Sequence, residues 1–133
     1  MKHLFDELSL QSSKLVTKKY STSFSLAVGL LSPTIRPAIY NIYGFVRLAD
    51  EIVDSFHDYP KEELFNKFEE DYYDALKYGI SLNPILNAFQ KTVKEYDIDA
   101  EHVTAFMDSM RADLQNQKYE TQKQNVGHRL LAP

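Results

Sequence analysis

Residues Ala38–His57 read AIYNIYGFVRLADEIVDSFH, and the reading of this stretch decides the fold. It has no proline and a single glycine, so it can form one helix of about five turns at ~3.6 residues per turn. At ~100° per residue its side chains sort into two arcs. With Tyr43 as origin, Arg47, Asp50 and Asp54 fall within about 40° of it, and Tyr40 lies at about 60°. The opposite arc carries Ala38, Ile42, Phe45, Leu48, Ala49, Ile52, Val53 and Phe56. A wide apolar arc buries a helix. A narrow stripe of tyrosine, arginine and aspartate on such a helix is expected to face a polar cavity.

The rest of the composition sets bounds around this helix. The chain has 133 residues, enough for one domain with a modest core. An apolar fraction of 44% with 26% charged residues is that of an ordinary soluble globular protein. The net charge of -4 gives no electrostatic basis for nucleic-acid binding. There is no cysteine, which excludes disulfides and thiolate metal sites. No apolar run approaches the roughly 18 to 20 residues of a membrane span, and MKHLFDEL lacks a signal-peptide core. The expected location is the cytoplasm.

Taken in order, the chain reads as helices separated by proline, glycine and asparagine. His3 to Lys18 carries an imperfect apolar stripe of Leu4, Phe5, Leu8, Leu15 and Val16. Ser21 or Ser23 is placed to cap a short helix over the apolar segment Leu26 to Leu31. Ser32-Pro33 opens the turn into the central helix, whose regular part begins around Pro37. Tyr59-Pro60 restarts the chain, Leu64, Phe65, Phe68, Tyr72 and Leu76 recur at helical spacing, and Gly79 ends that run. Asn83-Pro84 caps and starts a helix through Ile85, Phe89, Val93 and Tyr96. Asp99 caps the next, with Ile98 and Val103 spaced as a hydrophobic staple and Val103, Phe106, Met107, Met110 and Leu114 as its buried face. From Gln115 the composition turns to Gln, Asn and Lys, which predicts fraying or disorder. No stretch alternates with period two, so the fold class is all-α.

Four groups of residues carry chemistry, and each has a plainer reading beside it. Asp50 and Asp54, four apart on a helix, stack their carboxylates about 6 Å apart at Cβ and can hold Mg²⁺, which favours a few carboxylates plus water and phosphate oxygens. Such pairs are also common on solvated faces, as Glu70 and Asp74 illustrate. Arg47 can grip a phosphate through paired N–H donors, or serve as a structural ion-pair partner for Asp50 or Asp54. Ser21, Thr22 and Ser23 offer hydroxyls to a phosphate, or a helix cap. Tyr40, Tyr43 and Phe24 present π faces to a carbocation, or simply fill core and rim. His3, His57, His102 and His128 form no ligand pair.

YSTSFSLAVGLL followed by IYNIYGFVRLADEIVD resembles the squalene and phytoene synthase family of head-to-head prenyl transferases. The resemblance covers roughly Leu15 to Thr121 and rests on two linked motifs, the Ser-x-Ser-Phe segment and the Tyr-x-x-x-Arg-x-x-Asp-x-x-x-Asp helix. It implies an all-α bundle of the isoprenoid synthase type. It implies that Asp50 and Asp54 bind Mg²⁺ bridging to a diphosphate, that Ser21, Ser23 and Arg47 contact that diphosphate, and that Tyr20, Phe24 and Tyr43 line the pocket. Tyr20 stands where family members often have histidine, and Asp113, in MDSMRADLQNQKYET, matches an acidic position near the pocket. The implied reaction is metal-assisted ionisation of one prenyl diphosphate (farnesyl or geranylgeranyl) and attack by the double bond of a second. A cyclopropyl intermediate then ionises in turn, as in isoprenoid and carotenoid biosynthesis.

The family's second aspartate-rich motif and its tyrosine-glycine helix have no counterpart here, and the ending QNVGHRLLAP is unmatched. Residues 1–121 are therefore expected to be the N-terminal part of such a domain, and 122–133 a disordered tail. Turnover by this chain alone is expected to be far slower than with the remaining helices. The apolar stripes Leu64-Phe68-Tyr72 and Val103-Phe106-Met110 are expected to lack some partners and to favour a homo-oligomer, with peripheral membrane contact a further expectation. The alternative function is a non-catalytic helical module that retains the front half of the family fold.

Overall fold

The computed structural model describes residues 1–131, with side chains described for 1–120 and for Lys123. Six helices follow one another: α1 Lys2–Tyr20, α2 Thr22–Val28, α3 Arg36–Asp54, α4 Lys61–Tyr78, α5 Pro84–Glu95 and α6 Ala100–Leu131. There is no strand among the described residues, and the fold is all-α. Packing centres on Phe45 of α3. Its ring stacks on Phe89 of α5 with centroids 3.8 Å apart, and it meets Phe68 and Tyr72 of α4 and Phe106 of α6 at 5.4 to 5.7 Å. α1 lies across α3 and α5, α4 flanks the same pair, and α6 rests on α3 and α4.

Local signals set most helix ends. Gly79 takes the left-handed conformation at φ 74°, which glycine adopts without strain, and closes α4. Asn83 accepts from the amides of Ile85 and Leu86, and Pro84 opens α5 behind it. Asp99 Oδ1 accepts from the Glu101 amide at the start of α6. Ser21 caps α2 by accepting from the Phe24 amide at 3.1 Å. The short helix thus takes in the hydroxyl cluster and the first half of the apolar segment, Leu26 to Val28, and Leu30 and Leu31 lie exposed beyond its end. Arg36 donates to the carbonyls of Gly29 and Leu31 and fixes the turn into α3.

Three expectations need correction. The central helix stops at Asp54, short of His57. The Val53 carbonyl that a longer helix would give to the His57 amide is taken by Lys61 Nζ, and the His57 amide turns to Ser55. In α1 the buried stripe is Ser9, Ser13 and Thr17, while Leu4, Leu8 and Leu15 on the opposite side are more than half exposed. The stripes Leu64-Phe68-Tyr72 and Val103-Phe106-Met110 are not left without partners: Phe68, Tyr72 and Val103 are core residues, and Leu64, Phe106 and Met110 pack against them.

Beyond Gln115 the backbone of α6 stays helical. Gln117 accepts from Lys61, and Lys118 pairs with Glu62, so polar contacts to α4 support a stretch with no apolar period. The side chains of the expected tail, 122–133, lie outside the described residues apart from Lys123. No described helix is long and apolar enough to cross a membrane.

Candidate active site

Because α3 buries its apolar arc around Phe45, its other arc carries Tyr43, Arg47, Asp50, Glu51 and Asp54 along one edge of the bundle. Asp50 is half-buried and Asp54 exposed. Burial pushes the Asp50 carboxyl above its ordinary range, and the negative charge of Asp54 pushes it further; Arg47 opposes, while Asp113 and Glu51 add to the rise. Asp54 shares an open cleft of about 490 Å³ with His57 and with Asp113, Asn116, Gln117 and Glu120 of α6. Asp113 is therefore brought to the aspartate pair from a second helix.

Among the described residues no group of three or more His, Cys, Asp or Glu is arranged to hold a metal ion. The donor set that α3 offers is a pair of carboxylates, one of them disfavoured in its charged form by burial and by the other. That pair suits Mg²⁺, which keeps several waters and takes its other oxygens from a phosphate. The residues fit that ion as a shared protein–ligand site, not as a cage.

Arg47 does not pair with either aspartate. Its Nη2 lies 3.3 Å from Glu51 Oε1, and its guanidinium sits 4.4 Å over the Tyr20 ring. Tyr20, half exposed at the end of α1, donates its hydroxyl to Glu51 Oε2 at 2.7 Å. Ser55 donates to Glu51 Oε1, and the two hydroxyls, Ser55 first, hold the Glu51 carboxyl below its usual range. The bond to Glu51 raises the Tyr20 hydroxyl correspondingly. Glu51 is the residue the sequence reading missed. The i, i+4 spacing to Arg47 was its available signal.

The aromatic residues divide. Phe24 of α2 stacks on Tyr43 of α3 with ring centroids 4.9 Å apart and planes 23° from parallel. Tyr40 instead is buried, with Lys14 of α1 over its ring at 5.6 Å, so it faces the α1–α3 seam and not a polar cavity. Ser21 accepts the Phe24 amide, which is the capping role, and its own hydroxyl proton remains available to an acceptor. Ser23 and Thr22 are exposed on α2. The α1–α2 corner thus brings Tyr20 against Arg47 and Phe24 against Tyr43 of α3.

A family model described as squalene/phytoene synthase matches residues 17–126, a span that contains the whole of this edge. The chain belongs to the squalene/phytoene synthase family. It is similar to the chloroplastic phytoene synthase of Daucus carota, 30% identical over 118 residues, covering 80% of this chain and 27% of that protein. It is also similar to the presqualene diphosphate synthase of Sinorhizobium fredii, 34% identical over 95 residues, covering 70% of this chain and 33% of that protein. The chloroplastic phytoene synthase 1 of Solanum lycopersicum matches at 27% identity over 106 residues, covering 79% of this chain and 26% of that protein. The chain spans about a quarter to a third of the length of these relatives.

Proposed function

We propose that this chain provides the diphosphate-ionising edge of a head-to-head prenyl transferase, acting on an allylic prenyl diphosphate such as farnesyl or geranylgeranyl diphosphate. The observation that carries the reading is the convergence of Arg47, the Asp50/Asp54 pair and the stacked Phe24–Tyr43 rings on one edge of α3. Asp50 and Asp54 are the residues that would hold Mg²⁺. When bound, that ion supplies positive charge to the diphosphate oxygens. Arg47 donates N–H bonds to the same anion, and Ser21 and Ser23 offer hydroxyl donors from α2. Leaving-group charge that develops as the carbon–oxygen bond breaks is thereby met by fixed donors. The faces of Tyr43 and Phe24 stabilise the allylic cation by their ring quadrupoles, and Tyr20 shields the Arg47 side.

A second reading is a helical module without turnover. The two are separated by binding and by release. A non-ionising farnesyl diphosphate analogue should bind the full chain only with Mg²⁺, and farnesyl diphosphate should release pyrophosphate slowly under the same conditions. Mg²⁺-dependent binding without any release supports the module; no binding of either compound refutes the transferase reading.

A further inference from the structure

We propose that Glu51 is a positioning residue which, with Tyr20 as a brace, fixes the guanidinium of Arg47 for the diphosphate; this rests on the reading above. The three side chains form a closed ring of contacts: Tyr20 Oη to Glu51 Oε2 at 2.7 Å, Glu51 Oε1 to Arg47 Nη2 at 3.3 Å, and Arg47 over the Tyr20 ring at 4.4 Å. Ser55 holds Glu51 Oε1 from the following turn. Arg47 is thus held by a carboxylate at one nitrogen and by a ring against its flat face. Its Nε is buried and has no hydrogen-bond partner among the described residues.

The arrangement solves a specific problem of this helix. Arg47 lies one turn before Asp50, close enough to oppose the rise of its carboxyl. An arginine with free rotamers would collapse onto that carboxylate, and the anion-gripping cation and the metal-holding carboxylate would then consume each other. Glu51 offers Arg47 another carboxylate on the same turn as Asp50 and leaves Asp50 without an arginine hydrogen bond. Tyr20 belongs to the last turn of α1, directly before the Ser21 cap, so the same ring of contacts ties the α1–α2 corner to α3. An arginine held in place before the anion arrives loses less freedom when it binds.

The test is calorimetric titration of the full chain with inorganic pyrophosphate in Mg²⁺, for wild type, Glu51→Gln, Tyr20→Phe, Arg47→Gln and the double variant Glu51→Gln/Arg47→Gln. Tyr20→Phe keeps the ring over Arg47 and removes only the hydroxyl, at a half-exposed position where folding is not at stake. Glu51→Gln is expected to weaken binding about fivefold to tenfold, and Tyr20→Phe about twofold to threefold. In the Arg47→Gln background, Glu51→Gln should weaken it no further, because Glu51 acts through Arg47. A merely structural Glu51 would give additive losses, which overturns the proposal, as does wild-type affinity in both single variants. Absence of wild-type pyrophosphate binding overturns the underlying site reading, and this inference with it.

Discussion

Gly44 of α3 faces Ser13 of α1 so closely that a Cβ at position 44 would stand 3.0 Å from Ser13 Oγ and 3.3 Å from Ser13 Cα. Two helices meet there through a hydroxyl and a hydrogen. Gly44→Ala is therefore expected to destabilise the chain by up to about 2 kcal/mol: overpacking costs about 1 to 3, and better helix propensity returns ~1. Urea unfolding measures it, with an unchanged m-value as the sign that only stability moved.

Ser13 predicts the opposite sign. Its hydroxyl is buried and has no hydrogen-bond partner among the described residues. Ser13→Ala should stabilise by roughly 1 kcal/mol, since it removes a desolvated polar group and adds no volume. The same urea titration checks it, and a loss of stability would contradict the assignment of an idle hydroxyl.

Asp6 gives the joint between α1 and α5 an acid dependence. Asn87 Nδ2 donates to Asp6 Oδ1 at 2.9 Å, and that bond, with Lys2 and Lys91 nearby, holds the carboxyl below its ordinary 3.8 despite partial burial. A depressed folded-state pKa means stability that is present above the ordinary value and lost as pH falls through the lower one. Asp6→Asn should cost on the order of 1 kcal/mol at pH 7 and show a smaller acid-driven loss below pH ~4 than wild type, read from denaturation midpoints across pH.

Asp50 works in the reverse sense. Burial and Asp54 raise its folded-state pKa, so the ionised form is disfavoured by folding at neutral pH, and that penalty disappears as pH falls through the raised value toward the ordinary one. Asp50→Asn should melt at a higher temperature than wild type at pH 7, and the gap should narrow on acidification. With Mg²⁺ and pyrophosphate present the order should invert, because only wild type gains from the ligand. Thermal melts under the two conditions read both halves.

Lys61 sets where α3 stops. Its ammonium caps the Val53 carbonyl and reaches Gln117 Oε1 at 3.0 Å, joining the aspartate end of α3 to α6. Lys61→Met should cost about 1 to 2 kcal/mol and speed amide exchange in the last turn of α3, while the first turns stay protected.

Much of this was legible in the sequence because the signals were local. Gly79, Asn83-Pro84 and Asp99 each act on neighbouring backbone groups, and the apolar arc of α3 around Phe45 follows from spacing alone. The buried face of α1 was not legible. Ser9 and Thr17 give their hydroxyl protons to the carbonyls of Phe5 and Ser13 within their own helix, and Ser9 also accepts from Asn87 Nδ2 of α5 at 3.0 Å, so both enter the interior with their hydroxyls bonded, and hydropathy does not register them. In the candidate site, the angular stripe picked out Arg47, Asp50 and Asp54 but passed over Glu51, at about 80° from Tyr43 and so at its margin. What gives Glu51 its importance is Tyr20, 31 residues away in sequence, and no helical wheel contains that partner.

Asp50 and Asp54 are proposed to make anion binding at this edge depend on magnesium. The most direct measurement is the affinity of the full chain for inorganic pyrophosphate with and without Mg²⁺, in wild type and in Asp50→Asn and Asp54→Asn. Mg²⁺ is expected to strengthen binding at least tenfold in wild type and by less than about twofold in either variant, a difference of ~1 kcal/mol or more. Equal affinity with and without the metal, or the same metal dependence in the variants as in wild type, would contradict it.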